Sequence, residues 1–158
     1  MMAGSGAPET GGVDASHLNV VVVAGTWHDV ITDGLIAGAK RILDATGASY
    51  RVVRVPGSFE LPVAAKAAFE GGADAVVALG VIIRGGTPHF EFVSSAATDG
   101  LTRVALDAGK PVGFGVLTLD DEQQGLDRAG LEGSKEDKGE EAADAAIRTA
   151  LVLRELRG

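Results

Sequence analysis

The 158-residue sequence contains no cysteine, which removes disulfides, thiolate nucleophiles and thiolate-bound metals from consideration. Its three histidines, at 17, 28 and 89, show no ligand spacing, and no acidic cluster suggests a magnesium site, so no metal is expected. Aromatic residues are few (one Trp, one Tyr, five Phe), and the core must therefore be built from Val, Ile, Leu and Ala. Positive charge is scarce as well: 14 Lys and Arg against 22 Asp and Glu leave a net charge of −8. Without a basic field to neutralise phosphates, nucleic acid is not an expected partner, and an anionic small substrate would need a few cations placed locally. No apolar run reaches the ~18 residues of a membrane span, and the N-terminus lacks a signal peptide's basic and apolar regions. A soluble cytoplasmic protein with no membrane partner is the expectation. The turn GTWHDV lacks the G-x-G-x-x-G spacing, and no G-x-x-x-x-G-K-[ST] occurs, which argues against dinucleotide and P-loop enzymes.

Glycine, by contrast, is abundant at 23 residues, and hydrophobic residues make up 46% of the chain. Both suit an α/β domain, and the length suits one domain that buries about 68–70% of its unfolded surface. Residues 1–16 are small and polar without a period, and read as a flexible arm ahead of a single domain at 17–158. From there apolar runs alternate with helical spacing. LNVVVVAG at 18–25, YRVVRV at 50–55, ADAVVALGVII at 73–83 and PVGFGVLT at 111–118 read as strands. Helical spacing marks 28–46 (Ile31, Leu35, Ala39, Ile42, Leu43), 60–70 and 89–108 (Phe90, Val93, Ala97, Leu101, Val104). Asp120 is expected to cap a helix ending near Ala129-Gly130, and a last helix runs from about 137 to 156. This order predicts an α/β fold, a three-layer α-β-α sandwich on a four-stranded parallel sheet, with ligands at the carboxyl ends of the strands.

Those strand ends carry the chemistry. Gly25-Thr26-Trp27-His28 holds the lone tryptophan, which either folds over the sheet edge or offers a flat face to a heterocycle. Glu60 begins a helix, where the dipole favours a carboxylate by ~0.3–1 kcal/mol whether or not it also meets substrate hydroxyls. In GVIIRGGTPHF, residues 80–90, a buried strand ends on a charge, two glycines and then an imidazole. Thr87 reads as an N-cap with Pro88 in the first turn, which leaves main-chain N–H groups around Gly86 and Thr87 available to an anion. His89 stands where the positive end of a helix opposes a charged imidazole; it is either a general base or an ordinary surface histidine. Arg128 and Lys138 are the cations near the last two helices. Asp127 lies beside Arg128, so a surface ion pair competes with a role on a phosphate, worth ~1.5–3 kcal/mol as a charge-assisted bond.

The motifs VPGSFELP at 55–62, ALGVIIRGGTPHFEFV at 78–93, FGVLT at 114–118, and DRAG at 127–130 with EDKG at 136–139 together resemble the 6,7-dimethyl-8-ribityllumazine synthase family, from about residue 17 to the C-terminus. The resemblance implies a flavodoxin-like topology and a transferase of riboflavin biosynthesis. Its reaction would condense 5-amino-6-(D-ribitylamino)uracil with 3,4-dihydroxy-2-butanone 4-phosphate, releasing the lumazine, orthophosphate and water without metal or cofactor. Trp27 would then stack on the pyrimidine, Ser58, Phe59 and Glu60 would orient the ribityl amine, and Val81, Ile82 and Ile83 would meet the uracil edge. Gly86, Thr87, Arg128 and Lys138 would serve the phosphate, His89 would move protons, and Phe114 would reach the pocket from a neighbouring subunit. The resemblance also implies a homo-oligomer with active sites shared between subunits. A pentamer or dimer of pentamers is expected, because the stretch LEGSKED is longer than in members that build sixty-subunit shells. The N-terminal arm would pack on, or add a strand to, the adjacent subunit, and an association with riboflavin synthase is a further implication. Two departures, Ser58 where alanine is usual and Gly86 where a larger residue is common, matter little if both act through main chain. The rival readings are a flavin- or lumazine-binding homologue without turnover and a cage-forming subunit whose assembly is its function.

Overall fold

A computed structural model of the chain describes Gly6 and residues 12–158. Four strands, β1 (Asn19–Ala24), β2 (Ser49–Arg54), β3 (Ala75–Ile83) and β4 (Val112–Leu119), form one parallel sheet in the order β2-β1-β3-β4. Helices α1 (Asp29–Thr46) and α5 (Lys138–Leu156) cover one face, and α2 (Leu61–Glu70) and α3 (His89–Ala108) cover the other. This is the three-layer α/β fold that the alternation of runs predicts. The apolar runs are continuous because alternate residues feed two cores: Val20, Val22, Val77 and Leu79 pack towards α1 and α5, while Val21, Val23, Val76 and Ala78 pack towards α2 and α3. Among the described residues no helix is long and apolar enough to cross a membrane.

Several boundaries differ from the expectation, each for a local reason. Helix α3 starts at His89 with Pro88 as its N-cap, and Thr87 contributes only a long 3.4 Å contact from the His89 N–H to its hydroxyl. The short helix α4 (Glu122–Leu126) is capped by Asp121, which accepts from the Gln124 N–H at 2.9 Å; Asp120 is occupied by Arg84 instead, with Nε 3.1 Å from Oδ1. It stops at Leu126, short of 129, because the chain then folds back as an antiparallel bridge between Ala129 and Asp137. Residues 1–5 and 7–11 of the expected arm lie outside the described residues. The folded unit takes in Val13 and Ala15, ahead of the boundary expected at 17; Ala15 is fully buried and its N–H donates to Thr46 O at 2.7 Å.

Helix α5 approaches its neighbours through glycines. A Cβ built on Gly139 would stand 2.1 Å from Leu35 O, and one built on Gly113 would stand 2.1 Å from Ala142 O. The helix start is fixed by Asp137, whose carboxylate accepts from the Glu140 N–H at 2.9 Å and pairs with Arg41 on α1. Adding a methyl at Gly139 should favour the helix intrinsically by at most ~1 kcal/mol. Pushing α5 away from Leu35 should cost about 1–3 kcal/mol, so the clash wins. Gly139→Ala is therefore expected to lower the urea midpoint of unfolding; an unchanged midpoint would mean that α1 and α5 separate at no cost.

Candidate functional site

The connections leaving β1, β2 and β3 meet above the carboxyl ends of those strands. They enclose a cleft of about 630 Å³ lined by Trp27 and His28, by Gly57 to Glu60, by Val81 to Ile83, and by His89, Phe92 and Val93. Two of the loops are tied together: the Thr26 hydroxyl donates to Pro56 O at 2.7 Å, and Arg54 Nη2 donates to Gly25 O at 2.8 Å. Trp27 is held from behind by the Thr32 hydroxyl, which donates to its carbonyl at 2.7 Å. Trp27 is 66% exposed, and its ring lies against Gly57, where a Cβ would come within 3.1 Å of Nε1 and 3.5 Å of the Glu60 carboxylate. The indole therefore does not fold over the sheet edge but stands at the cleft mouth beside Glu60. Ser58 is buried, with its hydroxyl in the space that a side chain on Gly80 would occupy (2.3 Å from a built Cβ). His28 is the one non-glycine among the described residues with positive φ, at 57°, in the left-handed region that histidine enters more readily than most residues.

The turn in GVIIRGGTPHF is clamped by its arginine. Arg84 reaches Asp120 beyond β4 and Glu91 in the first turn of α3 (2.7 Å), and its guanidinium lies 4.4 Å from the Phe90 ring centroid. Between these anchors Gly85 and Gly86 have neither positive φ nor a neighbour within 4 Å of a built Cβ. Neither backbone strain nor crowding requires glycine there, and the consequence of the small residues is an open main chain beside His89.

The cleft thus brings together Trp27, Ser58, Phe59, Glu60, Val81, Ile82, Ile83 and His89 of the expected site residues. Gly86 and Thr87 stand on the exposed turn leading to His89. Phe114, Arg128 and Lys138 do not line the cleft; Phe114 is on β4 with its side chain half exposed. Arg128 does not pair with Asp127 as its sequence neighbour. Its Nη1 donates to Gln124 O at 2.8 Å and its Nε lies 3.4 Å from Glu136. Lys138 lies 3.1 Å from Glu141 and 3.3 Å from Glu136. Burial works against the Lys138 ammonium, but Glu141 and Glu136 outweigh it and hold its pKa above the ordinary 10.5. Sequence reasoning passed over His28, Gly57, Phe92 and Val93 as lining residues. Phe92 lies off the buried stripe of α3 and is 72% exposed, which its sequence position alone does not distinguish from an incidental surface residue.

Comparison with known proteins decides the family. Residues 17–154 match the family model described as 6,7-dimethyl-8-ribityllumazine synthase. The chain belongs to this family. It is 73% identical over 158 residues to the 6,7-dimethyl-8-ribityllumazine synthase of Leifsonia xyli subsp. xyli, covering 99% of this chain and 100% of that protein. Identity to the synthase of the same name from Clavibacter michiganensis subsp. michiganensis is 69% over 159 residues, covering 99% of each chain. The corresponding Streptomyces coelicolor protein is 56% identical over 154 residues, 97% of this chain and 96% of that one. The GVIIRGGTPHF turn therefore lies within a stretch this chain shares with the synthase family, and its clamp is open to test. The Arg84 hydrogen bond holds the Glu91 carboxyl below its ordinary 4.5, so this contact is complete above pH 4.5 and is lost as pH falls through the lowered folded value. Amide exchange at Gly85, Gly86 and Thr87, corrected for its intrinsic pH dependence, should rise over that acid range. Arg84→Met should show the fast exchange already at pH 7. Slow exchange in that variant would mean the turn holds itself.

Proposed function

We propose that this chain condenses 5-amino-6-(D-ribitylamino)uracil with 3,4-dihydroxy-2-butanone 4-phosphate to give 6,7-dimethyl-8-ribityllumazine. The observation that carries the reading is the cleft itself, which an exposed tryptophan, a carboxylate and a histidine just beyond an open glycine turn line together. The flat pyrimidine would lie against Trp27, with Glu60 accepting from ribityl hydroxyls and the main chain of Ser58 and Phe59 fixing the amine. The uracil edge would meet Val81, Ile82 and Ile83. Imine formation between the 5-amino group and the ketone expels water, phosphate then leaves by elimination, and attack of the ribityl-bearing nitrogen on the remaining carbonyl expels water again. Each step moves protons, and the exposed imidazole of His89 is the group in the cleft suited to carry them. Holding two reactants in register supplies most of the acceleration, up to ~7–11 kcal/mol in favourable cases.

Among the described residues no lysine or arginine lines the cleft. A phosphate beside His89 would meet the main chain of Gly86 and Thr87, and its countercharge would come from Arg128 and Lys138 of a second copy, with Phe114 of that copy closing the cavity. The active unit would then be a homo-oligomer with shared sites, a pentamer or dimer of pentamers. A single folded domain that takes in Val13 and Ala15, with the arm before it on the adjacent subunit, an association with riboflavin synthase and a cytoplasmic location complete the proposal.

Purified protein mixed with both substrates should yield lumazine fluorescence and orthophosphate in equal amounts. Binding of the uracil without product would instead favour the non-catalytic reading. His89→Ala should slow turnover by up to ~10²-fold without abolishing it. Arg128→Ala should raise KM for the butanone phosphate about 10- to 150-fold, the worth of one charge-assisted bond. Wild-type KM in that variant would remove Arg128 from the phosphate site.

A further inference from the structure

Both cations assigned to the phosphate already hold an anion that belongs to the chain. The Glu136 side chain is 19% exposed and divides its two oxygens, Oε2 lying 3.4 Å from Arg128 Nε and Oε1 lying 3.3 Å from Lys138 Nζ. That is the bridging arrangement a phosphate group would adopt between the same two donors. Both contacts are longer than the ~2.7–2.9 Å of a tight charge-assisted bond, so the carboxylate is loosely held. The cations have other anchors: Arg128 Nη1 on Gln124 O at 2.8 Å, and Lys138 Nζ on Glu141 Oε1 at 3.1 Å. Removing the Glu136 charge would therefore leave Arg128 and Lys138 tethered. The backbone of Glu136 is pinned, because its N–H donates to Asp127 O at 3.0 Å and its carbonyl accepts from the Gly130 N–H at 3.0 Å, beside the Ala129–Asp137 bridge. Any release of the carboxylate from the cations therefore has to come from the side chain rather than from the loop backbone.

We infer that Glu136 is the resident counter-ion of the phosphate-binding cations and sets the affinity of this chain for its phosphorylated substrate; the inference rests on the reading of Arg128 and Lys138 given under the proposed function. A phosphate must displace Glu136 to engage both cations, and the side chain returns when the phosphate leaves. Glu136 touches neither reactant in this scheme and acts through Arg128 and Lys138. An ordinary structural ion pair would leave phosphate affinity unchanged.

The test is steady-state kinetics on the assembled full chain, with inorganic phosphate as a competitive inhibitor against the butanone phosphate. Two part-exposed pairs at ~0.2–1 kcal/mol each imply that Glu136→Gln lowers both the phosphate inhibition constant and KM for the ester by roughly two- to thirtyfold. KM for the uracil substrate should stay at its wild-type value, and the melting temperature should fall by no more than the few degrees that losing two part-exposed pairs implies, whereas a loss of folding or of loop geometry would shift both further. Glu136→Asp, too short to span both cations, should give a smaller gain of the same sign. Unchanged or weakened phosphate affinity in Glu136→Gln, alongside the expected loss in Arg128→Ala, overturns the inference and leaves the phosphate reading standing. Unchanged affinity in both variants removes the phosphate reading and the inference with it.

Discussion

Asp137 is the residue on which the packing of α1 against α5 and the seating of Arg128, Glu136 and Lys138 depend. Its carboxylate, 10% exposed, caps α5 at the Glu140 N–H and pairs with Arg41 on α1. It also fills the space that side chains on Gly38 and Gly130 would need, since a Cβ on either would fall within 2.4 Å of its oxygens. One buried acid thereby joins α1, α5 and the loop between α4 and α5. A cap of this kind contributes about 1 kcal/mol as a hydrogen bond alone. Its larger effect is geometric. The Lys138 N–H donates to Arg128 O at 2.9 Å and the Gly130 N–H donates to Glu136 O at 3.0 Å, so both cations and their carboxylate hang from the segment that Asp137 seats. Gly130, at φ 66°, is one position where glycine is required twice, by conformation and by the carboxylate against it.

The fold was legible because a parallel sheet covered on both faces imposes continuous apolar strands, and because each helix keeps one stripe inward. What periodicity could not resolve were contacts made by chain segments that return. Asp120 and Asp121 are equivalent as caps in sequence; β4 running to Leu119 and the claim of Arg84 on Asp120 decide between them. Asp127 is the obvious partner for Arg128 by proximity along the chain, yet the bridge between Ala129 and Asp137 brings Glu136 against it instead. The cleft was more legible than the cations because most of its residues sit at strand ends, where topology alone dictates that they meet. His28 and Phe92 escaped for opposite reasons: a positive φ leaves no mark in composition, and an exposed phenylalanine off the buried stripe reads as incidental unless its exposure is known.

Arg84 shows how a charge at a strand end can serve order rather than binding. It ties the exit of β3 to the end of β4 and to the first turn of α3, and its planar group covers Phe90. A lysine could not reproduce two carboxylate contacts and a ring contact at once. The glycine turn beside it then remains open without being loose. Aromatic surface, carboxylate and imidazole are thus gathered in one cleft of a chain whose net charge is −8, while the two candidate phosphate cations lie elsewhere on it, already neutralised by Glu136 and Glu141.

That neutralisation has a kinetic logic under the proposed reaction. Phosphate is present twice, first as the handle of the substrate and then as the released product. Cations that gripped it equally at every stage would lower KM without raising kcat, and would delay departure of the product. A carboxylate that competes for the same two cations weakens the hold on the substrate's phosphate and on the released phosphate alike. Glu136 on a pinned backbone supplies such competition without loop motion, and the acidic character of the chain makes a spare carboxylate the available means.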